Sequence, residues 1–135
     1  MSSSTYRAGD RYSDWYLVET SAALDVLNVA AVTGAASPLH DAVARMSADG
    51  AGKLLRLVAG TVVADANYEI RFSKPRGMSY AELYASLERW TQRPGVSLWR
   101  RMMVLGPPPE FCMLAPSEQR LPAELSPEVF GRKPI

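Results

Sequence analysis

His40 is the only histidine of the chain, and Asp41 follows it. Imidazole is the side chain best suited to removing a proton near neutral pH. Ser37 and Pro38 read as the N-cap and first position of a helix. His40 then falls in a first turn, where the helix dipole favours its neutral, basic form. The plainer alternative is a surface histidine, with Asp41 complementing a helix N-terminus. Glu69 and Arg71 stand two residues apart in the alternating run Tyr68-Glu69-Ile70-Arg71-Phe72 and share one face of a strand. There Arg71 could hold a substrate carboxylate, phenolate or enolate. The same pair also fits a solvated strand face with a weak ion pair. Trp99 and Arg100 point to opposite faces of another strand. Trp99, with Tyr16, is an aromatic candidate for a pocket wall or for packing at a subunit seam, and Arg100 is a second cation for a developing oxyanion. The catalytic candidates are therefore His40, Asp41 and Arg71. The substrate-binding candidates are Tyr16, Glu69, Trp99 and Arg100.

Other chemistries find little material. Cys112 is the single cysteine and has no adjacent base or cation, so it reads as an inert buried thiol. One histidine and one cysteine argue against a transition-metal site, and no phosphate-cradling or nucleophile-elbow motif occurs. No cofactor is implied. The net charge is +1 and the basic residues never cluster into a stripe, which argues against a nucleic-acid partner. No apolar run approaches the roughly 20 residues that span a bilayer, and the polar N-terminus does not read as a signal peptide. A cytoplasmic protein with no membrane partner is the expectation.

The 135 residues suit one domain, 47% hydrophobic and 21% charged. Met1–Ser13 is Ser-rich and reads as a flexible arm. Trp15–Thr20 reads as a strand. A helix opens at Ser21 with Leu24, Leu27 and Val32 as a buried stripe, stops at Gly34, and restarts at Ser37 with Leu39, Val43 and Met46 as a second stripe. Lys53–Val63 is a strand region bent or bulged at Gly60, and Asp65-Ala66-Asn67 makes a turn. After strand Tyr68–Phe72, Ser79 and Glu82 form a capping box for a helix whose apolar face is Leu83, Leu87 and Trp90. Leu98–Leu105 and Glu110–Ala115 read as strands, and residues 116–135, punctuated by Pro122, Pro127 and Pro134, as an extended tail. The domain proper is then 14–115.

Strand, broken helix, two strands, helix, strand is a β-α-β-β-α-β order. On the strands Trp15–Thr20 and Tyr68–Phe72, the capped helix Ser79–Trp90 and the run Leu98–Gly106, the chain resembles the dimeric α/β-barrel superfamily, whose ferredoxin-like α+β protomers pair their sheets into a barrel. Its small members in antibiotic-biosynthesis clusters include cofactor-free monooxygenases, polyketide cyclases and NIPSNAP-like proteins. The resemblance implies a natural-product enzyme acting on an aromatic or polyketide-like substrate. Proton abstraction would lead to cyclisation, isomerisation or oxygenation. The alternative is a non-catalytic small-molecule-binding or accessory protein of the same fold. A sheet with helices on one face leaves its other face bare, so a homodimer is also expected.

Overall fold

A computed structural model describes residues 2–34, 37–62 and 66–135, with the side chains of Ser2, Ser37 and His40 outside the description. Two compact units make up the chain: residues up to Ser4 with Asp14–Gly52, and Thr5–Ser13 with Lys53–Ile135. The elements in order are β1 (Ser2–Ala8), β2 (Arg11–Leu17), α1 (Ala23–Val32), α2 (Ser37–Met46), β3 (Leu55–Gly60), β4 (Tyr68–Phe72), α3 (Tyr80–Thr91), β5 (Ser97–Arg101), β6 (Phe111–Ala115), a 3-10 turn (Ala123–Leu125) and β7 (Glu128–Pro134).

The strands line up as β2-β1-β7-β4-β6-β5-β3. All five pairings from β1 to β3 are antiparallel. This corrects the ferredoxin-like expectation. A β-α-β-β-α-β protomer would place β3 beside β4 as a hairpin. Here β4 lies between β6 and β7, and β3 pairs with β5 at the end of the order. Among the described residues one of the two expected β-α-β units is present: β4 and β5 run parallel on either side of β6, with α3 as their connection.

The terminal segments decide the difference. Gly9, at φ +64°, opens a two-residue turn between β1 and β2, which makes a hairpin of the Ser-rich start. Trp15–Leu17 is the end of β2, not a central strand. The C-terminal segment supplies β7, which takes the position beside β4. Its prolines stand where the ladder tolerates them, with Pro127 just before the strand and Pro134 at its last position.

The core of the second unit lies between α3 and one face of the sheet. Ile70 and Phe72 of β4, Leu98 of β5, and Phe111, Met113 and Ala115 of β6 meet Leu83, Leu87 and Trp90 of α3, with Leu121 and Leu125 at one side. Phe72 and Phe111 are cross-strand partners with stacked rings 5.3 Å apart. The expected capping box starts α3: Glu82 N–H donates to Ser79 Oγ (3.1 Å), and Ser79 N–H donates to Glu82 Oε2 (2.6 Å). The irregularity expected at Gly60 is also present, as a register shift between Leu57 and Ala59 followed by φ +81° at Gly60.

Three further expectations are corrected. The helical stripes are not buried: α1 has no buried residue, and Leu39, Val43 and Met46 of α2 are all exposed. The run Leu98–Leu105 is a strand only to Arg101. There the Arg101 N–H donates to Glu110 O, and residues 103–106 turn back. Among the described residues the bare apolar sheet face that motivated a dimer is not found. The face opposite α3 carries Glu69, Arg71 and Arg132, and its apolar members Trp99, Cys112 and Leu114 are buried within the single chain. Among the described residues no helix is long and apolar enough to cross a membrane. Val63 and Asp65 lie outside them.

Candidate functional site

On the face of the sheet opposite α3, cross-strand register builds a row from Glu128 of β7 through Arg71 of β4 and Cys112 of β6 to Trp99 of β5 and Leu57 of β3. The next row contains Phe130, Glu69, Leu114 and Ser97. Arg132 lies two residues beyond Phe130 and opposite Ala8, so it joins this face together with Tyr6 of β1.

Glu69 is the centre of the arrangement. Its side chain is 4% exposed, and it stands between two guanidinium groups. Arg71 Nε donates to Glu69 Oε1 at 2.7 Å, and Arg132 Nε lies 3.6 Å from Glu69 Oε2. Glu69 Oε2 accepts no hydrogen bond among the described residues. Arg132, 2% exposed, also donates from Nη1 to Ala66 O (3.0 Å) and lies 3.6 Å above the Tyr6 ring. The Arg71 side chain is 30% exposed and lies 4.9 Å from the Phe130 ring centre. A carboxylate buried this deeply requires charged partners; its own strand supplies Arg71, and β7, distant in sequence, supplies Arg132.

Further cations sit at one end of this face. Arg101 follows Trp99 at strand spacing, and its guanidinium donates to Gly106 O and Val104 O. Lys53 Nζ donates to Pro109 O at 2.8 Å. These acceptors are neutral, and among the described residues neither cation forms an ion pair with a carboxylate. Partial burial and the Arg71 guanidinium pull the Lys53 pKa below the ordinary lysine range. Burial and the neighbouring Glu69 push the Cys112 thiol well up, so it stays protonated and is no nucleophile.

A second cluster lies on the α3 side. The Tyr80 hydroxyl donates to Glu110 Oε1, and Arg100 reaches the same oxygen at 3.6 Å. Arg100 also lies 3.6 Å above the Tyr80 ring and donates to Tyr84 Oη at 3.5 Å. The carboxylate acceptor stabilises the protonated phenol and raises the Tyr80 pKa. These contacts tie the N-terminal half of α3 to the start of β6.

The residues singled out from sequence are therefore dispersed. Glu69 and Arg71 come together as a bonded pair. Arg100 lies on the opposite face of the sheet from Arg71. Trp99 is buried and donates to Ser97 Oγ at 2.9 Å, so it is core rather than an open pocket wall. Tyr16 is exposed in the first unit. Asp41 lies on α2, where it lines an open groove with Val32, Thr33, Pro38 and Arg45. His40 belongs to α2, with its side chain outside the description. The catalytic set His40, Asp41 and Arg71 is thus divided between the two units. Among the described residues no group of three or more His, Cys, Asp or Glu is placed to hold a metal ion. Comparison with protein-family models, with curated proteins and with solved structures finds no match for this chain.

Arg132, Tyr6 and Lys53 are the site members that sequence reasoning missed. The signal for Arg132 was its alternation with Phe130 in Glu128-Val129-Phe130-Gly131-Arg132. A buried glutamate on the adjacent strand β4 is what gives that alternation meaning.

Proposed function

We propose that the chain binds a small molecule with an anionic head and an apolar or aromatic body, at the sheet face opposite α3. The observation that carries this reading is the cationic surplus. Glu69 is shared by Arg71 and Arg132, while among the described residues Lys53 and Arg101 bond only neutral carbonyls and Glu128 is the further carboxylate in register on this face. An anion placed near Arg71 and Lys53 relieves that surplus, with charge-assisted hydrogen bonds as the gain. Phe130, already beneath the Arg71 guanidinium, offers an aromatic surface to the body of the ligand.

Binding accounts for this site better than catalysis. Glu69 is held by two guanidiniums, Cys112 is kept neutral, and Tyr80 is tied to Glu110 on the other face. None of these three is poised to take a proton or attack a carbon. The test is thermal unfolding with an aromatic carboxylate, naphthoate, against its uncharged methyl ester. The carboxylate should raise the melting temperature and the ester should not. Arg71→Met should remove the carboxylate effect. Equal shifts from acid and ester, or no shift from either, overturn the proposal.

A further inference from the structure

Beyond β5 the chain makes a short apolar finger. Residues 103–106 form a turn closed by Gly106 N–H donating to Met103 O at 3.0 Å. Val104 and Leu105 occupy its corners, and Leu105 is 97% exposed. Met103 and Val104 are each 70% exposed, and Met102 is exposed too. Such a run exposes the apolar surface that a chain ordinarily hides.

The finger is braced rather than loose. Arg101 donates to both Val104 O and Gly106 O, and Lys53 Nζ donates to Pro109 O. Met102 N–H donates to Leu54 O, which ties the finger's base to the chain leading into β3. The carbonyls of Met103, Val104 and Gly106 therefore all have partners within the chain. Pro107, Pro108 and Pro109 on the return limb have no N–H to satisfy. That combination lowers the cost of placing backbone in a medium without water. The charge pattern names the medium. Residues 102–109 contain no acidic side chain, Arg101 and Lys53 sit at the finger's base, and the adjacent Glu110 is occupied by Tyr80 and Arg100. Apolar side chains at a tip with cations behind them match an anionic lipid surface, where the tip enters the acyl boundary and the cations remain among the headgroups.

We infer that Met102–Leu105 is an interfacial anchor that docks this chain on anionic membranes. This is contact with one leaflet, distinct from spanning it; it shares Lys53 and Arg101 with the ligand site but is carried by the exposed Met102–Leu105 tip. The experiment is co-sedimentation of the full chain with phosphatidylcholine vesicles, with and without phosphatidylglycerol. Binding is expected only with the anionic lipid and should weaken as salt rises. Leu105→Asp should lower the vesicle partition at least about tenfold. Because Leu105 is almost wholly exposed, the variant keeps the wild-type circular dichroism and melting temperature. Three results overturn the inference: no sedimentation with anionic vesicles, equal sedimentation of wild type and Leu105→Asp, or self-association of the wild type that the variant abolishes without vesicles present. The last would make a second copy the finger's partner. Failure here leaves the carboxylate test at Arg71 untouched, and failure of that test leaves this one untouched.

Discussion

Glu69→Gln is the substitution that best isolates what holds the sheet together at β7. The change keeps the shape of the side chain and removes its charge. Arg132, with 2% of its side chain exposed, then loses the Glu69 carboxylate while remaining buried. Breaking a buried pair from one side costs about 3–5 kcal/mol. The lower end applies here, because Arg132 keeps its bond to Ala66 O and its place above the Tyr6 ring. Arg71 adds little to the loss, since its 30% exposed side chain can rehydrate, and exposed pairs contribute about 1 kcal/mol or less. The expected destabilisation is thus about 3 kcal/mol, or roughly 10 °C in melting temperature. Arg71→Met should cost about 1 kcal/mol or less. The decisive variant is the double substitution Glu69→Gln with Arg132→Met, which removes both members of the buried pair and should be more stable than Glu69→Gln alone. Urea unfolding followed by far-ultraviolet circular dichroism at fixed pH and salt reads all four proteins. A Glu69→Gln loss below about 1 kcal/mol, or a double variant less stable than Glu69→Gln alone, refutes the assignment of a charge requirement to this site.

Two further outcomes follow from the geometry. Cys112 is buried and its pKa is raised above the ordinary thiol value of about 9, so the folded chain holds this proton where the unfolded chain releases it. Stability from this group is present below pH 9 and is lost as pH rises past the unfolded value toward the folded one. Cys112→Ala should flatten that alkaline decline, and a thiol reagent should label the wild type only on unfolding. At Gly60, φ is +81° and an added Cβ would lie 2.1 Å from Val96 O, so Gly60→Ala should cost about 3 kcal/mol in urea unfolding. A tolerated alanine there would mean that β3 can leave β5 at little cost.

What the sequence made readable is what local spacing controls. Strict alternation placed β4, and Ser79 with Glu82 and a Leu83, Leu87, Trp90 stripe placed α3 and the face it buries. These signals need no distant partner. The strands β1 and β7 give no such signal, because serines dilute one and prolines bracket the other, and both depend on pairing across the length of the chain. The wrong fold followed from that gap: with the terminal segments set aside as arm and tail, the remaining strands fitted a β-α-β-β-α-β order. The site shows the same division. Glu69 and Arg71 were readable as neighbours on one strand face, while Arg132 needed β7 to be a strand at all. The buried glutamate nevertheless held the missing information. A carboxylate buried in Tyr68–Phe72 needs cations beside it, and the strand itself supplies only Arg71. The segment 128–132 alternates Val129 and Gly131 against Phe130 and Arg132, so pairing it beside β4 sets Phe130 opposite Glu69 and brings Arg132 within reach of its carboxylate. Glu69 is therefore best read as needing a cation beyond its strand-mate Arg71, and the fold supplies that cation from the C-terminal segment.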